Sequence, residues 1–232
     1  MRFHLYILLL WGFVVFSFNS GLTPCPATDI FFQTQKQIDD FGKKYSHCTA
    51  IKGNVQIGSS HLPSDIVDLS PLRSIRIVHG HLNILNNPFL TDLHSLSNLT
   101  YIGGYLNIFK NDRLNNLDHL SSLESIDGSL CIIRNSTLHS LNGLRNLTSI
   151  RGSLDVSFNS SIATLEGLES IDPRSISTTP TYLLTPIIDV HILENAPISE
   201  VKLPHWTWAP YCWFRTGSLI HPWLCLALKS WR

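Results

Sequence analysis

The sequence predicts a mainly β solenoid, a parallel β-helix or leucine-rich-repeat-like stack of about five 24-residue coils, on three observations. A Gly-x-Leu-x-Ile segment recurs at a step of 24 residues, at Gly80–Ile84, Gly104–Ile108, Gly128–Ile132 and Gly152–Val156, with an earlier copy at Gly53–Ile57. An asparagine follows each of the later four in phase, and beyond it apolar residues come at every third position. Units this short bury their apolar face only against their neighbours, so they must stack.

The Gly-x-Leu-x-Ile segment alternates with period two, which predicts a short half-buried strand with Leu and Ile inward and the x residues outward. Glycine at its start is expected to mark a tight bend or a positive φ. Asn87, Asn111, Asn135 and Asn159 are expected to form a ladder, each amide bonding backbone groups of its own turn and the next. The rival reading is a row of exposed turn asparagines. The leucine series that follows, such as Leu114, Leu117, Leu120, Leu123 and Ile126, fits neither an α-helix nor one strand. It fits short extended pieces or 3₁₀ turns that place each apolar residue in one core column.

Departures from the pattern are expected to be local. The first coil carries extra residues around Gly58 to Asp65, read as a surface loop. In the last coil, Leu165 to Ile171 reads as three residues short of its closing Ile, with Pro173 where glycine is expected.

The chain divides into a signal peptide (1–21), an N-terminal cap (22–52), the solenoid (53–172) and an irregular Pro/Trp-rich segment (173–232). Arg2 and His4 precede an apolar run from Leu5 to Phe18, followed by small polar residues that suit cleavage. A retained membrane anchor is the rival reading, but the run of about 14 residues is short for a span of roughly 20. A secreted chain permits disulfides, and Cys25 and Cys48, which flank the cap, are expected to pair. Cys131 reads as a lone thiol in a strand, while Cys212 and Cys225 have a spacing that leaves their pairing open. For the tail three readings stay open: an aromatic cap, an aberrantly spliced or translated end, and a membrane-anchoring segment, the last poorly matched by its charged terminus.

With 17 basic and 17 acidic residues the chain has no net field to draw nucleic acid. No motif for a cofactor or for metal binding occurs, and the histidines read as scattered surface residues; His79 and His81, on either side of Gly80, are the pair that could converge on a neighbour. Catalytic motifs are absent, and Asp68 with Asp92, or Asp127 with Glu124, read as ordinary surface acids. The outward strand positions, Gln56, Asn83, Asn107, Cys131 and Asp155 with His81 and Tyr105 beside them, offer amides, a ring and little charge. That face suits hydrogen bonding to a glycan or a protein; a plain solvated sheet is the rival reading. Of four glycosylation sequons, those at Asn98 and Asn146 are the better candidates, because Asn135 and Asn159 belong to the ladder.

Taken in order, Cys48-Thr49-x-Ile51-x-Gly53-Asn54-Val55-x-Ile57 and the later Leu-x-x-Ile-x-Gly-x-Leu-x-Ile units resemble the receptor L-domain family over about residues 25 to 172. The resemblance implies a right-handed β-helix with three parallel sheets and an extracellular binding role. The even coil length is closer to stand-alone secreted or surface repeat proteins than to hormone receptors, and no ligand-contacting residue can be carried over. The reading that follows is a non-enzymatic, secreted or cell-surface protein of recognition or adhesion, whose partner is an extracellular protein or glycan. A cell-wall or envelope spacer and a polysaccharide-acting β-helix enzyme are the alternatives.

Overall fold

The computed structural model describes residues 24–176, 178–179, 187–188, 190–193, 195, 213–216 and 219–221. The expected signal peptide, and Cys212 and Cys225, lie outside these described residues.

The described chain opens with a strand, β1 (Ile30–Phe32), and the one α-helix among the described residues, α1 (Gln35–Tyr45). Two-residue and four-residue strands then alternate: β2 (Ala50–Ile51), β3 (Val55–Gly58), β4 (Ile77–Val78), β5 (Leu82–Leu85), β6 (Tyr101–Ile102), β7 (Leu106–Phe109), β8 (Ser125–Ile126), β9 (Leu130–Ile133), β10 (Ser149–Ile150) and β11 (Leu154–Ser157). All of these pair in parallel with the equivalent strand one coil away, as a stack of repeats demands. The four-residue strands build a long sheet and the two-residue strands a short one. The third side of each coil is a 3₁₀ turn, at Ser70–Leu72, His94–Leu96, Asp118–Leu120 and Asn142–Leu144. Two sheets and a 3₁₀ face therefore stand where the resemblance implies three sheets; on the third side, strand pairing among the described residues shrinks to isolated bridge residues such as Asn116 with Ser140. The three-residue leucine step is compatible with either, and on this side it is taken up by 3₁₀ turns with their three residues per turn.

Register aligns like with like. Leu82, Leu106, Leu130 and Leu154 form one buried column, and Leu93, Leu117, Leu141 and Leu165 another, each at most 2% exposed. Each such side chain contributes about 1.5–3 kcal/mol by leaving water, and the columns merge into one continuous core.

The repeat glycines do not have positive φ; among glycines that conformation occurs at Gly58 and Gly167. Space is the constraint instead. A Cβ on Gly128 would sit 2.7 Å from the carbonyl carbon of Gly104 and from the nitrogen of Tyr105, and Gly80 and Gly152 are at least as close to the coil before. Positive φ falls one strand-length later, at Asn86, Lys110, Arg134 and Phe158, with values of 52–59°. An L-residue there is strained by about 1–2 kcal/mol, and the turn it makes swings the next residue, the ladder asparagine, into the core.

Those asparagines are fully buried. Asn111 Oδ1 accepts from the Asn87 backbone N–H (3.1 Å) and from Asn87 Nδ2 (2.9 Å), while Asn111 Nδ2 donates to the Ile84 carbonyl (2.9 Å). Asn135 and Asn159 repeat the pattern one and two coils on. The first coil has no such asparagine, and Ser64 Oγ donates to Asn87 Oδ1 in its place.

The solenoid continues past residue 172, where it was expected to end. Strand β12 (Thr178–Thr179) pairs antiparallel with β13 (Ile187–Ile188), and β14 (Val190–Leu193) then joins β11 in parallel, Leu154 opposite Val190. Asn195 completes the ladder, its Oδ1 accepting from the Asn159 N–H (2.9 Å) and its Nδ2 donating to the Val156 carbonyl (2.7 Å). Strands β15 (Trp213–Thr216) and β16 (Leu219–His221) extend the long sheet further. The last coil is also phased differently from the expectation. The Asp172 N–H bonds the Thr148 carbonyl, so Ile171 fills the column of Leu147, and a 3₁₀ turn at Pro173–Ser175 replaces the closing strand.

At the other end, Cys25 and Cys48 form a disulfide, and Cys48 is itself buried in the core. Between them β1 adds to the long sheet beside β3, and α1 presses Ile38 and Phe41 onto the first coil, Phe41 meeting Phe32 edge-on at 5.3 Å.

Candidate functional site

The outward face of the long sheet is built by register alone. One row runs Phe31, Gln56, Asn83, Asn107, Cys131, Asp155 on successive strands, about 4.8 Å apart. A second row, Gly58, Leu85, Phe109, Ile133, Ser157, lies two residues further along each strand. The polar row is the one expected from the sequence, and the apolar one is new. Leu85, Phe109 and Ile133 occupy the position after the inward Ile, and period-two alternation makes them outward; the signal was present in the same pattern.

Side chains on this face are held by their neighbours. The His81 ring stacks on Tyr105 with centroids 3.8 Å apart and planes 14° from parallel. The Tyr105 backbone N–H donates to His81 Nδ1 (3.0 Å), which leaves the proton of the neutral ring on Nε2. Asn83 Nδ2 donates to the Tyr105 hydroxyl (3.4 Å), and Gln56 Nε2 to the Gly58 carbonyl (3.0 Å). Asn83 is nearly buried; Gln56, Tyr105, Asn107 and Asp155 are half-buried. Asn107 Oδ1 is buried and has no hydrogen-bond partner among the described residues. Asp155 accepts from Ser157 Oγ, and Cys131 sits half-buried between Asn107 and Asp155.

Aromatic side chains mark the rim beyond the apolar row. Phe89 and Phe158 are 47% and 39% exposed, with the Arg113 and Arg134 guanidinium groups each 5.5 Å from the respective ring centroid. Such cation–π contacts keep a ring in place while leaving part of its surface open.

The remaining candidates are dispersed. His79 and His81 diverge on either side of Gly80: His81 lies on the long sheet, and His79 packs against Tyr101 of the short sheet at 6.5 Å. There the Tyr101 hydroxyl donates to Asp127 Oδ2 (2.7 Å), and this bond to a carboxylate holds the phenol above its ordinary pKa. Arg151 also meets Asp127, 3.4 Å away. Asp68 and Asp92 each accept from the backbone N–H two residues on, at Ser70 (2.7 Å) and His94 (2.9 Å), and so start the 3₁₀ turns. Asp29 accepts both from the Asn54 N–H and from its amide, which holds its carboxyl below the usual value. Asp68 and Asp92 line one open groove, where each carboxylate is engaged by the backbone of its own turn.

Asn98 and Asn146 are exposed, each donating through Nδ2 to the coil before, at the Arg73 and Ser121 carbonyls (2.8 and 2.7 Å). Among the described residues, the side chains close enough to share a metal as a group of three are Cys25, His47 and Cys48, and the disulfide uses both sulfurs. No helix among the described residues is long and apolar enough to cross a membrane.

The sequence model of one family, the receptor L domain, matches residues 47–117 and again 100–202. The second match runs through β14 and Asn195, the part of the ladder beyond residue 172. Among curated proteins no sequence matches the chain. Receptor L domains are extracellular, generally bind extracellular ligands and are in general not enzymes. With its two parallel sheets, its repeated coil and family matches that together span more than half its length, this chain belongs to the receptor L-domain family.

Proposed function

We propose that the protein acts outside the cell in recognition or adhesion, and that the outward face of the long sheet binds an extracellular protein. The observation that carries this reading is the pairing of rows on that face: amides at Gln56, Asn83 and Asn107 run beside apolar Leu85, Phe109 and Ile133. A flat surface that mixes an apolar strip with hydrogen-bonding groups is the chemistry of a protein interface. The orphaned Asn107 Oδ1 supports it, because a buried acceptor gains most from a donor that a partner brings. A glycan fits less well: the Tyr105 ring, the natural platform for a sugar, already has His81 stacked on it.

The N-terminal segment 1–21 is a cleaved signal in this proposal, and Asn98 and Asn146 carry glycans. The cap and the solenoid, at least as far as Asn195, form the working body. Intact-mass analysis of secreted protein tests these points together. An N-terminus at Met1, or unmodified Asn98 and Asn146 in a glycosylating host, removes them.

Binding is tested on arrays of extracellular proteins and of glycans, with wild type and Phe109→Asp. Selective protein binding lost in the variant supports the face; glycan binding that survives the variant overturns it. Absence of any selective binding favours the alternative, a cell-wall or envelope spacer, which the even stacking of the coils would also serve.

A further inference from the structure

The 3₁₀ face carries a histidine pair that the repeat does not require. His94 and His119 stand on consecutive turns, yet they are not repeat equivalents: one coil on, His94 corresponds to Asp118, and His119 corresponds to Ser95 one coil back. Stacking therefore asks for no histidine at either place, and the neighbouring turns use Ser70-Pro71 and Asn142-Gly143 there. The two rings nonetheless meet, centroids 4.7 Å apart and planes at 86°, with Nδ1 facing Nδ1 at 3.4 Å.

We propose that His94 and His119 bind a divalent transition-metal ion, zinc in the first instance, through their Nδ1 atoms. Zinc holds imidazole nitrogens at about 2.0–2.1 Å in a tetrahedron, which sets two ligand nitrogens about 3.3–3.4 Å apart. The observed separation equals that span. The pair lines an open groove of about 510 Å³ whose charged residues are Asp68 and Asp92, with no lysine or arginine among its walls. The surroundings thus favour a cation, and the groove leaves room for water to complete the coordination. Asp92 Oδ1 and Oδ2 already accept from the His94 N–H (2.9 Å) and Thr91 Oγ1 (3.3 Å), and a carboxylate retains lone pairs beyond those two bonds. Among the described residues no third His, Cys or acidic ligand atom lies close enough to form a three-ligand group with the pair, so the site has two protein ligands and modest affinity. The ion would tie two coils together on a face whose 3₁₀ turns otherwise meet only through packing and isolated bonds. This site is independent of the binding face on the long sheet.

The test is isothermal titration of the secreted, tag-free protein with zinc chloride, for wild type, His94→Ala, His119→Ala, the double variant, and His139→Ala as an exposed control. Losing a ligand costs at least the about tenfold in affinity that losing a ligand's supporting partner typically costs. The expected result is one equivalent bound by wild type and by the control, a drop of that size or more in each single variant, and no binding in the double variant. Zinc should also raise the melting temperature of wild type and not of the double variant, since binding to the folded state alone stabilises it. Far-UV circular dichroism verifies that the variants fold. No zinc binding by wild type leaves an imidazole–imidazole hydrogen bond as the meaning of the 3.4 Å contact and overturns the proposal, as does binding retained by the double variant.

Discussion

Gly128 and Lys110 illustrate a division of labour at single positions. The backbone that needs positive φ belongs to Lys110 and its equivalents, at 55° for Lys110, whereas the evenly spaced glycines serve close approach between coils. A methyl group at Gly128 would meet two backbone atoms at 2.7 Å, and neither can swing aside as a side chain could. Gly128→Ala is therefore expected to destabilise by about 1–3 kcal/mol, the usual range for overpacking. Gly104→Ala makes an informative partner, since the atom its methyl would strike first is Nδ1 of the movable His81 ring. It should disturb the His81–Tyr105 stack as well as stability. Urea denaturation of both variants reads the first effect, and an unchanged midpoint for Gly128→Ala would refute the spacing argument.

The asparagine ladder is the element that converts a row of turns into one structure. Each rung satisfies the buried N–H of the preceding corner and at once adds a bond to a carbonyl of the preceding strand. Asn111→Ala would strand the Asn87 N–H and take one bond each from the Asn87 amide, which keeps the Ile57 carbonyl, and from the Ile84 carbonyl of β5. At about 1–3 kcal/mol for the stranded N–H and about 0.5–1.5 kcal/mol for each of the other two lost bonds, the expected loss is at least about 2 kcal/mol. Asn98→Ala, on the surface, should stay within about 0.5 kcal/mol. A loss for Asn111→Ala no greater than for Asn98→Ala in chemical denaturation would show that water replaces the rung. The ladder, the core columns and the polar row are legible in the chain because each repeats with a period that a stack imposes. What is not legible lacks a period. His94 and His119 stand at different repeat positions and meet across a diagonal; the rim pairs Arg113–Phe89 and Arg134–Phe158 each span one 24-residue step, but the residue type at those positions changes from coil to coil. The 3₁₀ face is only half legible, because a three-residue step is compatible with extended pieces too.

At the scale of the molecule, a stack of coils is stable only if both ends are covered, since each end coil exposes the apolar face that every other coil hides. The N-terminal end is covered by β1 and α1, with the Cys25–Cys48 disulfide fixing the segment. The far end is where the glycine marker fails: Val190-His191-Ile192 has Ile188 where the other copies have glycine, so the strand carries no such sign, although Asn195 stands at the same distance from Val190 as Asn159 does from Leu154. Ile192 is 1% exposed, so the continuation buries apolar surface as the earlier coils do. A chain ending at Ile176 would leave β11 as a bare parallel edge and strip Asn159 of the partner for its backbone N–H. Bare edges of this kind also invite pairing between molecules. A chain ending at Lys202, the limit of the family match, keeps β14 and Asn195. The shorter chain should unfold at lower urea than the longer one and show stronger concentration-dependent light scattering; the longer keeps β14 but bares its edge by losing β15. Equal midpoints for the two truncations would mean that the solenoid closes at residue 176 and that β14 adds nothing to its stability.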